Sequence, residues 1–169
     1  AAWDVDLAGL ASLADEIRAH GGQVRTATVD VFDDAAIDAG FTAIEDAWAP
    51  VRHLVNNAGP RSVDPYTFRE AIGLAVGSME AIIQRFLGAA GGPGEHASIV
   101  NVSSVAGNLT GSNPPWYPTA KAAIAGLTRA LAVELGPEGI TVNCICPGPI
   151  LTGMTQAIPE ADRQTFARR

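Results

Sequence analysis

With 169 residues, 47% of them hydrophobic, the chain is long enough to build one packed core of ordinary size. Its net charge of −7 comes without any lysine- or arginine-rich tract, which argues against a nucleic-acid partner. No apolar run reaches the roughly 20 residues that cross a bilayer, and the first residues lack the zones of a secretory signal, so a cytoplasmic protein is expected.

Leu7, Leu10, Leu13, Ala14 and Ile17 recur at helical spacing, and the pattern stops at His20-Gly21-Gly22, where glycine supplies a left-handed cap. Val24, Thr26, Thr28 and Val29 form a β-branched run leading into Asp30 and Val31, which predicts a strand ending at a loop. Asp33-Asp34 then opens a helix whose apolar face is Ile37, Phe41, Ile44 and Trp48, closed by Pro50. His53-Leu54-Val55 reads as a short strand ending at Asn56. Beyond Pro60 and Pro65, helical periodicity runs from Tyr66 to Leu87, and Gly91 to Gly94 separate it from the strand Ser98-Ile99-Val100-Asn101-Val102. Pro114, Pro115 and Pro118 punctuate a loop before a helix over Ala122 to Leu135, which stops at Gly136-Pro137; Ile140 to Ile145 makes the last strand.

Helices of this length alternating with short apolar strands predict an α/β fold: a doubly wound parallel sheet with helices on both faces. No repeat or long linker divides the chain, so residues 1–169 are expected to form a single domain. Cys144 and Cys146, two apart on a strand, share one face and read as reduced, buried thiols. Nothing beside them completes a zinc set, and no metal site is expected. His20, His53 and His96 are scattered and read as capping or surface residues. Trp3 and Trp48 read as core or packing residues, whereas Trp116 either packs its loop or meets a substrate.

Ligands of open parallel sheets bind beyond the C-terminal ends of the strands, where this chain carries Asp30, Asn57-Ala58-Gly59, Ser104 and Pro147-Gly148. Taken singly, Asn57 serves equally as a turn residue and Ser104 as a cap. Tyr117 and Lys121, four apart, share a helix face. A free phenol has a pKa of about 10, and a nearby ammonium favours its anion, so such a pair exchanges a proton near neutral pH. With Ser104 as a second donor, the set would polarise a carbonyl towards hydride attack, or in reverse take the proton of an alcohol.

The runs Leu54-Val55-Asn56-Asn57-Ala58-Gly59, Ile99-Val100-Asn101-Val102-Ser103-Ser104, Tyr117-Pro118-Thr119-Ala120-Lys121 and Pro147-Gly148-Pro149-Ile150-Leu151-Thr152 stand in the order and spacing of the short-chain dehydrogenase/reductase family. The chain resembles that family over essentially its whole length. The resemblance implies a Rossmann-like fold and hydride transfer between NAD(H) and a secondary alcohol or ketone. It implies Tyr117 as proton donor or acceptor, Lys121 as the residue that lowers its pKa and bonds the nicotinamide ribose, and Ser104 as the residue that orients substrate. It also puts Asp30 and Val31 beside the adenine and Asn57, Ala58, Gly59, Pro147 and Gly148 along the cofactor cleft, with Ile150 and Thr152 at the nicotinamide carboxamide. Asp4 falls where the family's second strand ends; a carboxylate there would accept both ribose hydroxyls and repel a 2′-phosphate, so NAD is expected over NADP. The alternative for Asp4 is a cap on the helix beginning near Leu7. A homo-oligomer is implied through the helices around Tyr66 to Leu87 and Pro118 to Leu135.

The sequence also departs from the family pattern. The opening strand and glycine-rich turn that hold the cofactor pyrophosphate have no counterpart before Ala1, and because that strand lies mid-sheet, a central gap is expected. The closing helix and strand are likewise missing after Arg169, so the chain is expected to be a fragment, incomplete at both ends, of a longer parent. Gly73 or Leu74 stands where many members carry a proton-relay asparagine. Pro118 fits beside Tyr117 only where the helix is just starting or distorted. These departures leave two other expectations open: a dinucleotide-binding protein without turnover, and a non-functional truncated product.

Overall fold

The computed structural model describes residues 1–89, 96–110 and 114–150. β1 (Ala2–Asp4) runs parallel to β2 (Thr26–Thr28), with Ala2 opposite Thr26 and Asp4 opposite Thr28. Between them lies α1 (Leu7–Ala19), whose first turn is capped by Asp6: its carboxylate accepts the Ala8 amide at 3.0 Å. Asp4 is therefore not the helix cap. Its own carboxylate accepts the Asp6 amide at 3.0 Å, one step upstream. As the sequence requires, α1 ends at His20 with Gly21 in the left-handed region, φ 78°.

α2 (Asp34–Ala47) starts where Asp33 accepts the Ala35 and Ala36 amides. It leads to β3 (His53–Asn56), the outer member of a second parallel sheet ordered β3-β4-β5, with β4 at Ser98–Val102 and β5 at Thr141–Ile145. Among the described residues no hydrogen bond joins β1–β2 to β3–β4–β5, so the strands form two parallel sheets. This is the central break that the sequence pattern anticipates.

The long periodic stretch beginning at Tyr66 is not one regular helix. α3 (Phe68–Ile72) begins only after Thr67, which makes a reciprocal capping box with Glu70. A π-helical segment over Gly73–Gly77 follows, and α4 (Ser78–Leu87) continues from it. The apolar period carries through all three pieces, but glycines at both ends of the middle one offer little resistance to widening the turn. α5 (Trp116–Leu135) starts earlier than its run of strong helix formers, at Trp116 and not Ala122. Pro118 thus occupies the first turn, where its missing amide costs no helical hydrogen bond.

One core joins these layers: Ile37 and Phe41 of α2, Met79, Ile83 and Phe86 of α4, Ile99 of β4, Ile124 and Leu131 of α5 and Val142 of β5. Arg85 of α4 reinforces the contact with α2, bonding Asp38 at 2.7 Å and Glu45 at 2.8 Å while its guanidinium lies over the Phe41 ring. Trp3 meets Phe41 edge-on at 5.1 Å, and Gly40 makes room for it, since a Cβ there would lie 2.8 Å from the indole. Two expectations need correction. Trp48 is 44% exposed, with Arg25 over its ring, because Ile37 and Phe41 already fill the face of α2 that meets the core. Cys144 and Cys146 are free but only half-buried, since they lie at the end of β5, where the helical cover thins.

Candidate active site

The site is assembled where β4 and β5 run out against the start of α5. Asn101, fully buried in β4, accepts a hydrogen bond from Asn56 of β3 at 2.9 Å and donates to Thr128 of α5 at 3.0 Å; Thr128 donates in turn to the Ile124 carbonyl at 2.8 Å. This chain of amides and hydroxyls registers two strands on one helix. A buried polar network of this kind is stable only when every member is paired, which these are. Beyond it, the Ser103 hydroxyl donates to the Lys121 carbonyl at 2.6 Å and the Lys121 ammonium donates to the Val102 carbonyl at 3.0 Å. β4 and α5 are therefore tied by two bonds in opposite directions, one residue either side of the strand's end.

Ser104 follows immediately. Its Oγ accepts the Ala106 amide at 3.2 Å, which uses a lone pair and leaves the hydroxyl proton available to donate. The backbone amides on either side of it, Ser103 and Val105, donate to the carbonyls of Ile145 and Pro147 at 2.8 and 3.1 Å. A second π-helical segment, Ala106–Thr110, then packs on α5 so closely that a Cβ on Gly107 would lie 2.6 Å from the Ala122 nitrogen and 2.7 Å from the Lys121 carbonyl carbon.

Tyr117 stands in the first turn of α5, half-buried, with the Lys121 ammonium 5.8 Å from its ring centre and Trp116 edge-on at 5.8 Å. Trp116 itself is buried, so it packs the helix start. Burial holds the Lys121 ammonium below its ordinary pKa of 10.5, while ionisation of the neighbouring Cys144 and Cys146 would act in the opposite sense. Among the described residues no hydrogen bond links the Tyr117 hydroxyl to Ser104 or Lys121.

The residues expected to line a dinucleotide cleft lie at the same ends of the strands. Asp4 is exposed at the end of β1; Asn57, Ala58 and Gly59 are exposed after β3; Pro147 and Gly148 follow β5, and Ile150 is 59% exposed. Open space surrounds Gly59 and Gly148, with nothing within 4 Å of a Cβ built on either. Asp30 is exposed, but its carboxylate is engaged by the Phe32 amide at 2.9 Å, and Val31 leans on the core. Thr152 lies outside the described residues. Two surface depressions, of about 250 and 550 Å³, are lined by Asp34, Ile37, Asp38, Ala81 and Arg85 and by Arg18, Gly22 to Thr26 and Trp48. Neither includes Ser104, Tyr117 or Lys121. Among the described residues no cluster of His, Cys, Asp and Glu could hold a metal, and no helix is long and apolar enough to cross a membrane.

Sequence reasoning missed the supports of the site: Ser103, the Asn56–Asn101–Thr128 network and both π-helical segments. A signal was present for the first two, since Asn56 and Asn101 are amides ending or interrupting apolar strands, and Ser103 precedes a candidate catalytic serine.

The profile of the short chain dehydrogenase family matches residues 1–163. The chain is 36% identical over 172 aligned residues to the hydroxy(phenyl)methyl-succinyl-CoA dehydrogenase subunit BbsD of Thauera aromatica, covering 98% of this chain and 68% of that protein. It is 31% identical to the 3-oxoacyl-acyl-carrier-protein reductase FabG of Pseudomonas aeruginosa, covering 94% of this chain and 66% of the reductase. A crystal structure of a variant of actinorhodin polyketide ketoreductase with NADPH superposes with a TM-score of 0.83 at 26% identity, covering 97% of this chain and 66% of that one. The chain thus spans about two thirds of the length of these relatives.

Proposed function

The chain belongs to the short-chain dehydrogenase/reductase family of oxidoreductases, and from that premise we propose that its parent protein transfers hydride between NAD(H) and a secondary alcohol or ketone at Ser104, Tyr117 and Lys121. The observation that carries this reading is the pair of opposed bonds between β4 and α5, Ser103 to Lys121 and Lys121 to Val102, which fixes Ser104 and the first turn of α5 at one strand end. Asn57 to Gly59 and Pro147-Gly148 would hold the nicotinamide cofactor, which would supply or accept the hydride. Tyr117 gives a proton to the carbonyl oxygen, or takes it from the alcohol. Ser104 donates its free hydroxyl proton to the same oxygen and so stabilises the charge that develops there. Lys121 sets a positive charge 5.8 Å from the Tyr117 ring, which favours the transition state in which the phenol oxygen becomes negative.

Asp4 supports NAD over NADP. It is an exposed carboxylate at the end of β1, and the next basic residue in the chain is Arg18. Asp30, Val31, Ile150 and Thr152 complete the proposed cofactor surface. Residues 1–169 act as one Rossmann-like unit in this reading. Self-association is proposed through the helices around Tyr66 to Leu87 and Pro118 to Leu135, on which Phe68 and Val133 are 53% and 80% exposed, and a cytoplasmic location accompanies it.

A second reading, dinucleotide binding without turnover, is favoured by the π-helical segment Gly73–Gly77, which carries no amide side chain where many family members place a relay asparagine. Spectrophotometry of nicotinamide oxidation with a panel of ketones separates the two. The proposal expects turnover with NADH faster than with NADPH, and a fall of about 100-fold or more in Ser104→Ala. Tight NADH binding with no turnover across the panel would establish the second reading.

A further inference from the structure

Hydride transfer leaves Cys144 and Cys146 without a role. Both are free and half-buried at the end of β5, and their thiols adjoin. Cys146 accepts a hydrogen bond from the Asn108 amide nitrogen at 3.0 Å. It is also bracketed by backbone bonds, since Ile145 and Pro147 on either side of it accept the amides of Ser103 and Val105. Those two amides flank Ser104. The last pair of the parallel ladder is Val102–Ile145, so Cys146 follows it on β5 as Ser103 follows it on β4, and the Ser103 and Val105 amides couple the backbone on either side of Cys146 to the backbone on either side of Ser104.

We propose that Cys144 and Cys146 form an oxidisable dithiol whose closure to a disulfide displaces Ser104. In the first step the Cys146 thiolate attacks one sulfur of a small organic disulfide, forming a mixed disulfide and releasing one small thiolate. Cys144 then loses its proton to solvent and attacks the Cys146 sulfur, and the second small thiolate leaves. Two cysteine thiols are oxidised and one external disulfide is reduced to two thiols. Cys146 is the better first nucleophile because it lies beyond the strand, whereas burial pushes the Cys144 thiol up.

Geometry supplies the consequence. Same-face residues two apart on a strand are separated by about 6.6 Å, whereas disulfide-linked Cβ atoms sit about 3.5–4.5 Å apart. Closure must therefore draw the two side chains together and bend the backbone between them. The only backbone between the two cysteines is that of Ile145, whose carbonyl holds the Ser103 amide. Cys146 also ceases to be a thiol acceptor for Asn108, which loosens the segment Ala106–Thr110 from the strand. The effect on turnover rests on the role of Ser104 proposed above; the thiol chemistry and the backbone displacement do not.

The test treats the purified protein with oxidised glutathione, maps cysteine-containing peptides by mass spectrometry, and follows hydrogen exchange at Ser103 and Val105. The expected result is a Cys144–Cys146 cross-link, exchange about tenfold faster at both amides, and full reversal by dithiothreitol. Cys144→Ser should stop at the mixed disulfide on Cys146. Wild-type protein that shows only mixed disulfides, or unreacted thiols, overturns the dithiol assignment. A cross-link with unchanged exchange overturns the coupling to Ser104. Failure of the hydride-transfer reading would look different, since the cross-link and the faster exchange would persist in a protein with no turnover to lose.

Discussion

The Ser103 hydroxyl donates to the Lys121 carbonyl at 2.6 Å, joining the residue before Ser104 to the residue one turn after Tyr117. The bond belongs to no helix or strand ladder, yet it sets the distance between the two halves of the proposed site. Ser103→Ala should lower stability by about 1 kcal/mol, the usual net worth of one such bond. It should lower kcat by more than its unfolded fraction explains. Urea unfolding beside steady-state kinetics at a temperature where both proteins are folded measures the difference.

Asn101 carries a heavier structural load. Replacing it with leucine strands the Asn56 amide in the core and removes the donor to the Thr128 hydroxyl, which keeps its own bond to the Ile124 carbonyl. A loss of about 1–3 kcal/mol is expected, chiefly from the one unsatisfied amide. Denaturant titration checks it, and Asn101→Asp should also destabilise, because it puts an acceptor where Thr128 needs a donor.

Gly107→Ala tests the packing of the second π-helical segment on α5. Its Cβ would meet backbone atoms of Lys121 and Ala122 at 2.6–2.7 Å, which no side-chain rotation relieves. The segment must lift from the helix at a cost of about 1–3 kcal/mol. Turnover should fall through kcat while cofactor affinity holds, as measured by calorimetry and initial rates.

Much of this architecture was readable in advance, for a physical reason. Helix faces such as Ile37 and Phe41, caps such as Asp33 and Gly21, and strand runs such as Ile99 to Val102 are written as local periodicity, and the structure follows them. The placement of Tyr117 and Lys121 on one helix and of Ser104 just after a strand was legible because both spacings are local. The π-helical segments were not, since helical periodicity near 3.6 does not distinguish a single widened turn. The start of α5 was hidden by Pro118, which reads as a breaker until its place in the first turn is known. Asn56 and Thr128 are polar residues whose partner lies 45 and 27 positions away, and nothing local announces that.

Lys121 should limit stability and serve catalysis. Its folded pKa lies below the ordinary value of 10.5 because burial disfavours the ammonium. Between the two values the folded chain binds fewer protons than the unfolded one, so stability rises as pH climbs through that window. Below it, the cost of burying the charge is fully present. Lys121→Met should therefore raise the urea midpoint at neutral pH, lose most of its advantage as pH approaches 10.5, and abolish turnover. Unfolding curves from pH 7 upward, beside activity assays, test all three.

The central claim, that Tyr117 exchanges the proton in hydride transfer, is tested most directly by Tyr117→Phe in the parent protein. NADH binding by calorimetry and ketone-dependent NADH oxidation are measured on the same samples. Unchanged cofactor affinity is expected, with kcat lower by about 100- to 10,000-fold, the loss that follows from a missing general acid. A variant that turns over at the wild-type rate would contradict it.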